Sequence, residues 1–157
     1  MRLRDRVNQD LTAAMKARDA GRLSTLRMMK TAIRNREVEL RAELDDAQSV
    51  QVLVTLVKQR KDSIEQFTRG GRTDLAAKEA AEITVIESYM PAAASEEEIG
   101  RVVAEVVEAL DAKSPKDLGA VMKECMSRFS GRPVDGKKVN VAVRRRLETG
   151  SDPAAPA

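Results

Sequence analysis

The chain has 157 residues, 42% hydrophobic and 34% charged, with a formal net charge of +3. That suits one ordinary domain or two small ones with a core to bury. It has no His and only 2% aromatics, which excludes His-based acid–base and nucleophile pairs, most zinc sites, and an aromatic platform for single-stranded nucleic acid. The single Cys makes no internal disulfide, no apolar run reaches the roughly 18 residues of a membrane span, and Met1–Arg6 leads into no signal-peptide core. A cytoplasmic protein with no membrane association is therefore expected.

Helical periodicity runs through the chain, and no strand alternation competes with it. Leu3, Val7, Leu11 and Met15 form the stripe of a first helix, broken at Asp19-Ala20-Gly21. Leu23, Leu26, Met29, Ile33 and Leu40 predict a second helix running to about Glu43. Asp45-Asp46 reads as a turn, with Ser49 as N-cap of the third helix. That helix carries Val50, Leu53, Val54, Val57, Ile64 and Phe67, and Gly70-Gly71 stops it. Thr73 or Asp74 caps a fourth, with Leu75, Ile83, Ile86 and Met90 as its stripe and Pro91 as its end.

Ala92-Ala93-Ala94 reads as a linker into a second unit. Ser95 and Glu98 make a capping box ahead of Ile99, Val102, Val103, Val106 and Leu110. Ser114-Pro115 starts the next helix, whose apolar face is Leu118, Val121, Met122, Cys125 and Phe129. Gly131 and Pro133 mark a loop, and Asp135 caps a last helix with Val139, Val143 and Leu147 inward. The expected fold class is all-α: four helices over residues 1–91, three over 95–149, and a disordered Pro/Ala-rich tail over 150–157.

Charge is segregated along this order. The net is +6 over residues 1–41, −3 over 42–91, −5 over 95–111 and +5 over 123–148. Solvated helix faces account for such blocks, and so does a pair of basic surfaces for an anionic partner, with nucleic acid the leading candidate.

Several blocks also resemble a known family. Lys58-Gln59-Arg60-Lys61-Asp62-Ser63-Ile64, Gly71 through Glu79, and Tyr89-Met90-Pro91 are similar to the YqeY-like proteins of bacteria. So are Asp117-Leu118-Gly119-Ala120-Val121-Met122 and Gly131 through Asp135-Gly136. The last two resemble a tail shared with the B subunit of glutamyl/aspartyl-tRNA amidotransferase (the GatB/YqeY domain). The blocks span about residues 1–148 in order. One departure is the loop: the family pattern Gly-x-x-Asp-Gly is here one residue longer, Gly131-Arg132-Pro133-Val134-Asp135-Gly136. The resemblance implies an N-terminal four-helix domain and a small three-helix tail domain of the type that contacts tRNA in the amidotransferase. It also carries the family label of carbon–nitrogen ligase with glutamine as amide donor. The partners it implies are tRNA or another structured RNA, and components of tRNA amidotransferase or of a synthetase.

The candidate RNA-binding residues are Lys123, Arg128, Arg132, Lys137, Lys138, Arg144 and Arg145. Seven-residue spacing puts Lys137 with Arg144, and Lys138 with Arg145, on one side of the last helix. The alternative is a solvated basic face. Gly136 and the amides after Asp135 form a helix N-terminus that favours phosphate. Gly119 lies inside a helix at a cost of about 1 kcal/mol relative to Ala, so close helix–helix approach or close approach of an RNA backbone is expected there. Among the motif residues Arg60, Asp62, Arg72, Asp74, Gly119, Gly131, Asp135 and Gly136, the bases Arg60 and Arg72, with Lys58 and Lys61, stand near Asp62, Asp74 and Glu79. That suggests an ion-pair network between helices, or else a phosphate contact. Arg27, Lys30 and Arg34 share one face of the second helix. Cys125 sits on an apolar stripe without a His and reads as a core thiol. Glu96-Glu97-Glu98 belongs to the capping box rather than to a metal site. No catalytic, cofactor-binding or metal-binding residues are assigned, and no autonomous enzyme is expected.

Overall fold

The computed structural model describes residues 1–149, and every regular element among them is helical. The helices are α1 (Leu3–Ala17), α2 (Ala20–Leu40), α3 (Asp46–Arg69), α4 (Thr73–Glu87), α5 (Glu96–Ala109), α6 (Leu118–Arg128) and α7 (Gly136–Thr149). A 3-10 turn at Pro115–Asp117 precedes α6. The tail expected to be disordered, 150–157, lies outside the described residues.

The chain divides into two compact units, with the boundary between Pro91 and Ala92. In the first unit Val7, Leu26, Met29, Ile33, Leu53 and Ile86 are almost completely removed from water. Apolar positions at helical spacing on α1–α4 converge there, and burial of each large side chain contributes on the order of 2 kcal/mol. The stripe of α1 runs Leu3, Val7, Ala14, with Leu11 half-buried. Met15, expected inward, is exposed, because a strict four-residue repeat drifts off a 3.6-residue helix. In the second unit Val103 and Val106 of α5, Val121 and Cys125 of α6, and Val139 and Val143 of α7 form a separate core.

Caps set the helix boundaries. Asp45, not Ser49, starts α3: its carboxylate accepts from Gln48 N at 2.7 Å, and Gln48 Oε1 accepts from Asp45 N at 3.0 Å. Ser49 lies buried inside the helix. Neither Thr73 nor Asp74 caps α4, since the N-cap position falls on Arg72 and no side chain bonds the first amides. α2 ends at Leu40, short of Glu43, because Arg41 turns into the left-handed region at φ 52°. Arg18 does the same after α1 at φ 55°. Behind α3 the left-handed residue is Gly71, at φ 75°. Ser95 and Glu98 form a reciprocal box at the start of α5. Leu110, expected on the α5 stripe, is instead its exposed C-cap.

Candidate nucleic-acid interface

The last helix is built to face two ways. Asp135 accepts from Lys137 N at 2.9 Å and begins α7. Val139, Ala142, Val143 and Leu147 point into the core. The helical repeat then drives Lys137, Lys138, Arg144 and Arg145 outward, and all four are exposed. Just before α7, Gly131 takes φ 84°, a conformation that favours glycine. The residues around this turn are tied back to the start of the unit. Ala94 N donates to Pro133 O at 2.9 Å, and Arg132 donates to Ala92 O at 3.3 Å and to Glu98 Oε2 at 2.9 Å. The segment expected as a linker, Ala92–Ala94, is thus bonded to the longer loop.

The seven candidate cations differ in their surroundings. Arg132 is committed to Glu98, and its guanidinium holds that carboxyl below the ordinary range of glutamate. Arg128 lies 3.4 Å from both Glu105 and Glu124. Lys138 lies 3.3 Å from Glu96. Lys123, Lys137, Arg144 and Arg145 form no ion pair among the described residues; Arg144 Nε donates to Asn140 Oδ1 at 2.8 Å. Three of the seven charges are therefore compensated in place, and four face solvent uncompensated.

Gly119 is exposed in the first turn of α6, and a Cβ built there meets nothing within 4 Å. The expectation of close helix–helix approach fails, because the glycine faces away from the core. Gly136 likewise opens onto free space. Asp117 is the local anchor, its carboxylate accepting from Lys113 N at 3.0 Å and Ser114 N at 3.3 Å. Beside α7 lies a cleft of about 580 Å³ against the start of α5, with Ile99, Val141 and Ala142 as its apolar part. Val141 is 56% exposed. Lys137, Lys138 and Arg145 stand on one bank, Glu96 and Glu97 on the other.

The motif residues of the first unit are placed differently from one another. Arg60 is buried, with Nε 3.1 Å from Glu82 Oε2, Nη1 donating to Leu56 O at 2.9 Å, and Nη2 against Met28 Sδ. Its carboxylate is neither Asp62 nor Glu79. Arg72 and Asp74 pair at 3.1 Å on the surface, and the arginine holds that carboxyl below its usual range. Asp62 is exposed and joins no network among the described residues. The role of Tyr89 escaped the sequence: its hydroxyl donates to Asp10 Oδ2 and accepts from Arg22 at 3.2 Å, and Arg6 lies 4.7 Å over its ring. Burial and Asp10 push its pKa up to about 12. Only the Tyr89-Met90-Pro91 block hinted at a role.

Cys125 is fully buried, and burial pushes its thiol up to about 11, far from a thiolate at neutral pH. Among the described residues no group of three His, Cys, Asp or Glu side chains is placed to hold a metal ion, and no helix is long and apolar enough to cross a membrane.

The family model described as Yqey-like protein matches residues 4–147. A Saccharomyces cerevisiae protein named altered inheritance of mitochondria protein 41, mitochondrial, is 32% identical over 143 residues, covering 88% of this chain and 77% of its own length. The protein of the same name from Kluyveromyces lactis is 41% identical over 101 residues, 62% of this chain and 55% of that protein. The Lachancea thermotolerans protein is 35% identical over 112 residues, 69% of this chain and 60% of that protein. The chain thus spans between about half and three quarters of these relatives' lengths. These relatives are yeast proteins, not bacterial ones, and they are named as mitochondrial. That overturns the expectation of a plainly cytoplasmic protein, which rested on the single cysteine and on composition.

Proposed function

The chain belongs to the YqeY-like family, and from that premise we propose that it is a non-catalytic accessory protein that binds tRNA or another structured RNA through its second unit, residues 95–149, acting as a GatB/YqeY-type tail. The observation that carries this reading is the set Lys123, Lys137, Arg144 and Arg145, exposed on α6 and α7 with no carboxylate partner among the described residues. Unpaired cations on a rigid helix attract phosphates and release counterions on contact. They read the shape of an A-form helix rather than its sequence. Gly119 supports the same reading, because an exposed helical glycine with open space above it leaves room for a backbone to approach.

The test is fluorescence anisotropy with tRNA at two salt concentrations. Affinity should fall as salt rises, with a slope of roughly one unit per phosphate contact. Lys137→Glu, Arg144→Glu and Arg145→Glu together should abolish binding. Gly119→Ala should stabilise the fold by up to about 1 kcal/mol and still weaken RNA binding. Unchanged affinity in the triple variant would remove the α7 assignment, and glutamine-dependent amidation by the purified chain would overturn the non-catalytic reading.

A second reading rests on the α5–α7 cleft with its exposed Val141. It suits an amphipathic partner helix, acidic along the α7 bank, from a component of an amidotransferase or a synthetase. A partner retained at high salt without RNA, and lost in Val141→Glu, would favour it.

A further inference from the structure

The first unit carries a cleft that the RNA reading does not use. It has a volume of about 270 Å³ and lies between α1 and α2 over Val7 and Ile33, both almost fully buried. Arg4 of α1 pairs with Glu37 of α2 at 2.9 Å. Asn8, one turn beyond Arg4 on α1, lines the same cleft with Arg34 and Lys30, one and two turns before Glu37 on α2.

The polar groups there are unevenly satisfied. Arg4 is neutralised by Glu37 and by Glu43 at 3.2 Å. Lys30 and Arg34, four residues apart on one helix face, form no ion pair among the described residues. Asn8 Oδ1 is buried and accepts no hydrogen bond. A buried acceptor left unmade is costly, and such atoms are rare enough to need a reason. Arg34 does stand near enough to Glu37 to help lower that carboxyl's pKa, so the cleft presents Lys30 without a carboxylate, Arg34 sharing Glu37 at longer range, and one acceptor that lacks a donor.

A bare anion would answer the cations and leave Asn8 unmet. A polyanionic strand running along the helices would meet the Glu37 and Glu43 carboxylates at the Arg4 end. A small dianion that also carries a hydroxyl meets every condition, and a phosphate monoester is close to a dianion at neutral pH. The volume, below the range of most drug-sized sites, points to a ligand of few atoms. We propose that the α1–α2 cleft binds a small hydroxylated phosphate monoester of the sugar-phosphate class. Its phosphate sits between Lys30 and Arg34, and a hydroxyl donates to Asn8 Oδ1.

The experiment is a titration of the full chain, followed by amide proton–nitrogen correlation spectra at matched ionic strength. The probes are ribose 5-phosphate, inorganic sulfate (a dianion without a hydroxyl), ribose and a short RNA hairpin. Ribose 5-phosphate should give saturable shifts at Val7, Asn8, Ile33 and Arg34. It should bind at least about threefold more tightly than sulfate, the worth of one neutral hydrogen bond. K30Q with R34Q, both exposed and so harmless to the fold, should weaken it roughly tenfold or more. N8V should bring ribose 5-phosphate down to the affinity of sulfate. Equal affinity for the two anions in the unaltered chain, the absence of saturable shifts, or shifts at these amides with the hairpin alone would each overturn the proposal.

Discussion

A guanidinium taken out of water must find partners for its donors, and Arg60 finds them on three helices: Leu56 on its own α3, Glu82 on α4 and Met28 on α2. Breaking such a pair leaves a buried charge alone. Arg60→Ala should therefore lower unfolding stability by about 3 kcal/mol, while Arg60→Met with Glu82→Leu should recover most of the loss, both read from urea melts. The Lys58–Asp62 block drew attention to Arg60, but its partner was not legible there. Glu82 lies 22 residues away, and only the packing of α4 on α3 selects it over Asp62 and Glu79. Tyr89 is a stronger case, because Asp10 and Arg22 precede it by 79 and 67 residues. Tyr89→Phe should cost about 1 kcal/mol at neutral pH. The native phenol titrates near 12 against an ordinary 10, so its contribution is complete below pH 10 and lost as pH rises through about 12. Alkaline urea melts should show that decline in the parent chain and not in the phenylalanine variant.

At the scale of the helix, some boundaries were legible from a capping side chain, as at Ser95 and Asp135. Others were misplaced where another residue within a few positions satisfied the same amides, as Asp45 does for Ser49. The end of α2 carried no sequence signal because arginine occupies the position that glycine usually takes, and the end of α1 was read just beyond its arginine, at Asp19-Ala20-Gly21. Arg18 and Arg41 hold left-handed dihedrals that crowd a Cβ against the backbone. Arg18→Gly should relieve this strain and raise stability by about 0.5–1 kcal/mol, after allowance for the more flexible unfolded chain. A rise in thermal midpoint of a few degrees checks it. Gly119 shows the converse, since a glycine signals that something needs space and not on which side.

For the molecule as a whole, the helical class was readable because a 3.6-residue stripe is a local property repeated seven times. Net charge by segment located the basic α7 but said nothing of which cations are neutralised. Glu96, Glu98 and Glu105 reach Lys138, Arg132 and Arg128 only after the helices have packed, whereas Glu124 stands one turn from Arg128 on α6 itself. Location was misread because compartment leaves little trace in composition. The two separate cores have a practical outcome through Cys125, the one thiol in the sequence, fully buried in the second. A thiol reagent reaches that sulfur only when the helices around it part. The rate of its capture in native buffer is thus a clock for the breathing of residues 96–149, and openings confined to the first unit leave it silent. Labelling should be slow in the intact chain and accelerate in Val121→Ala, with no added dye or tag.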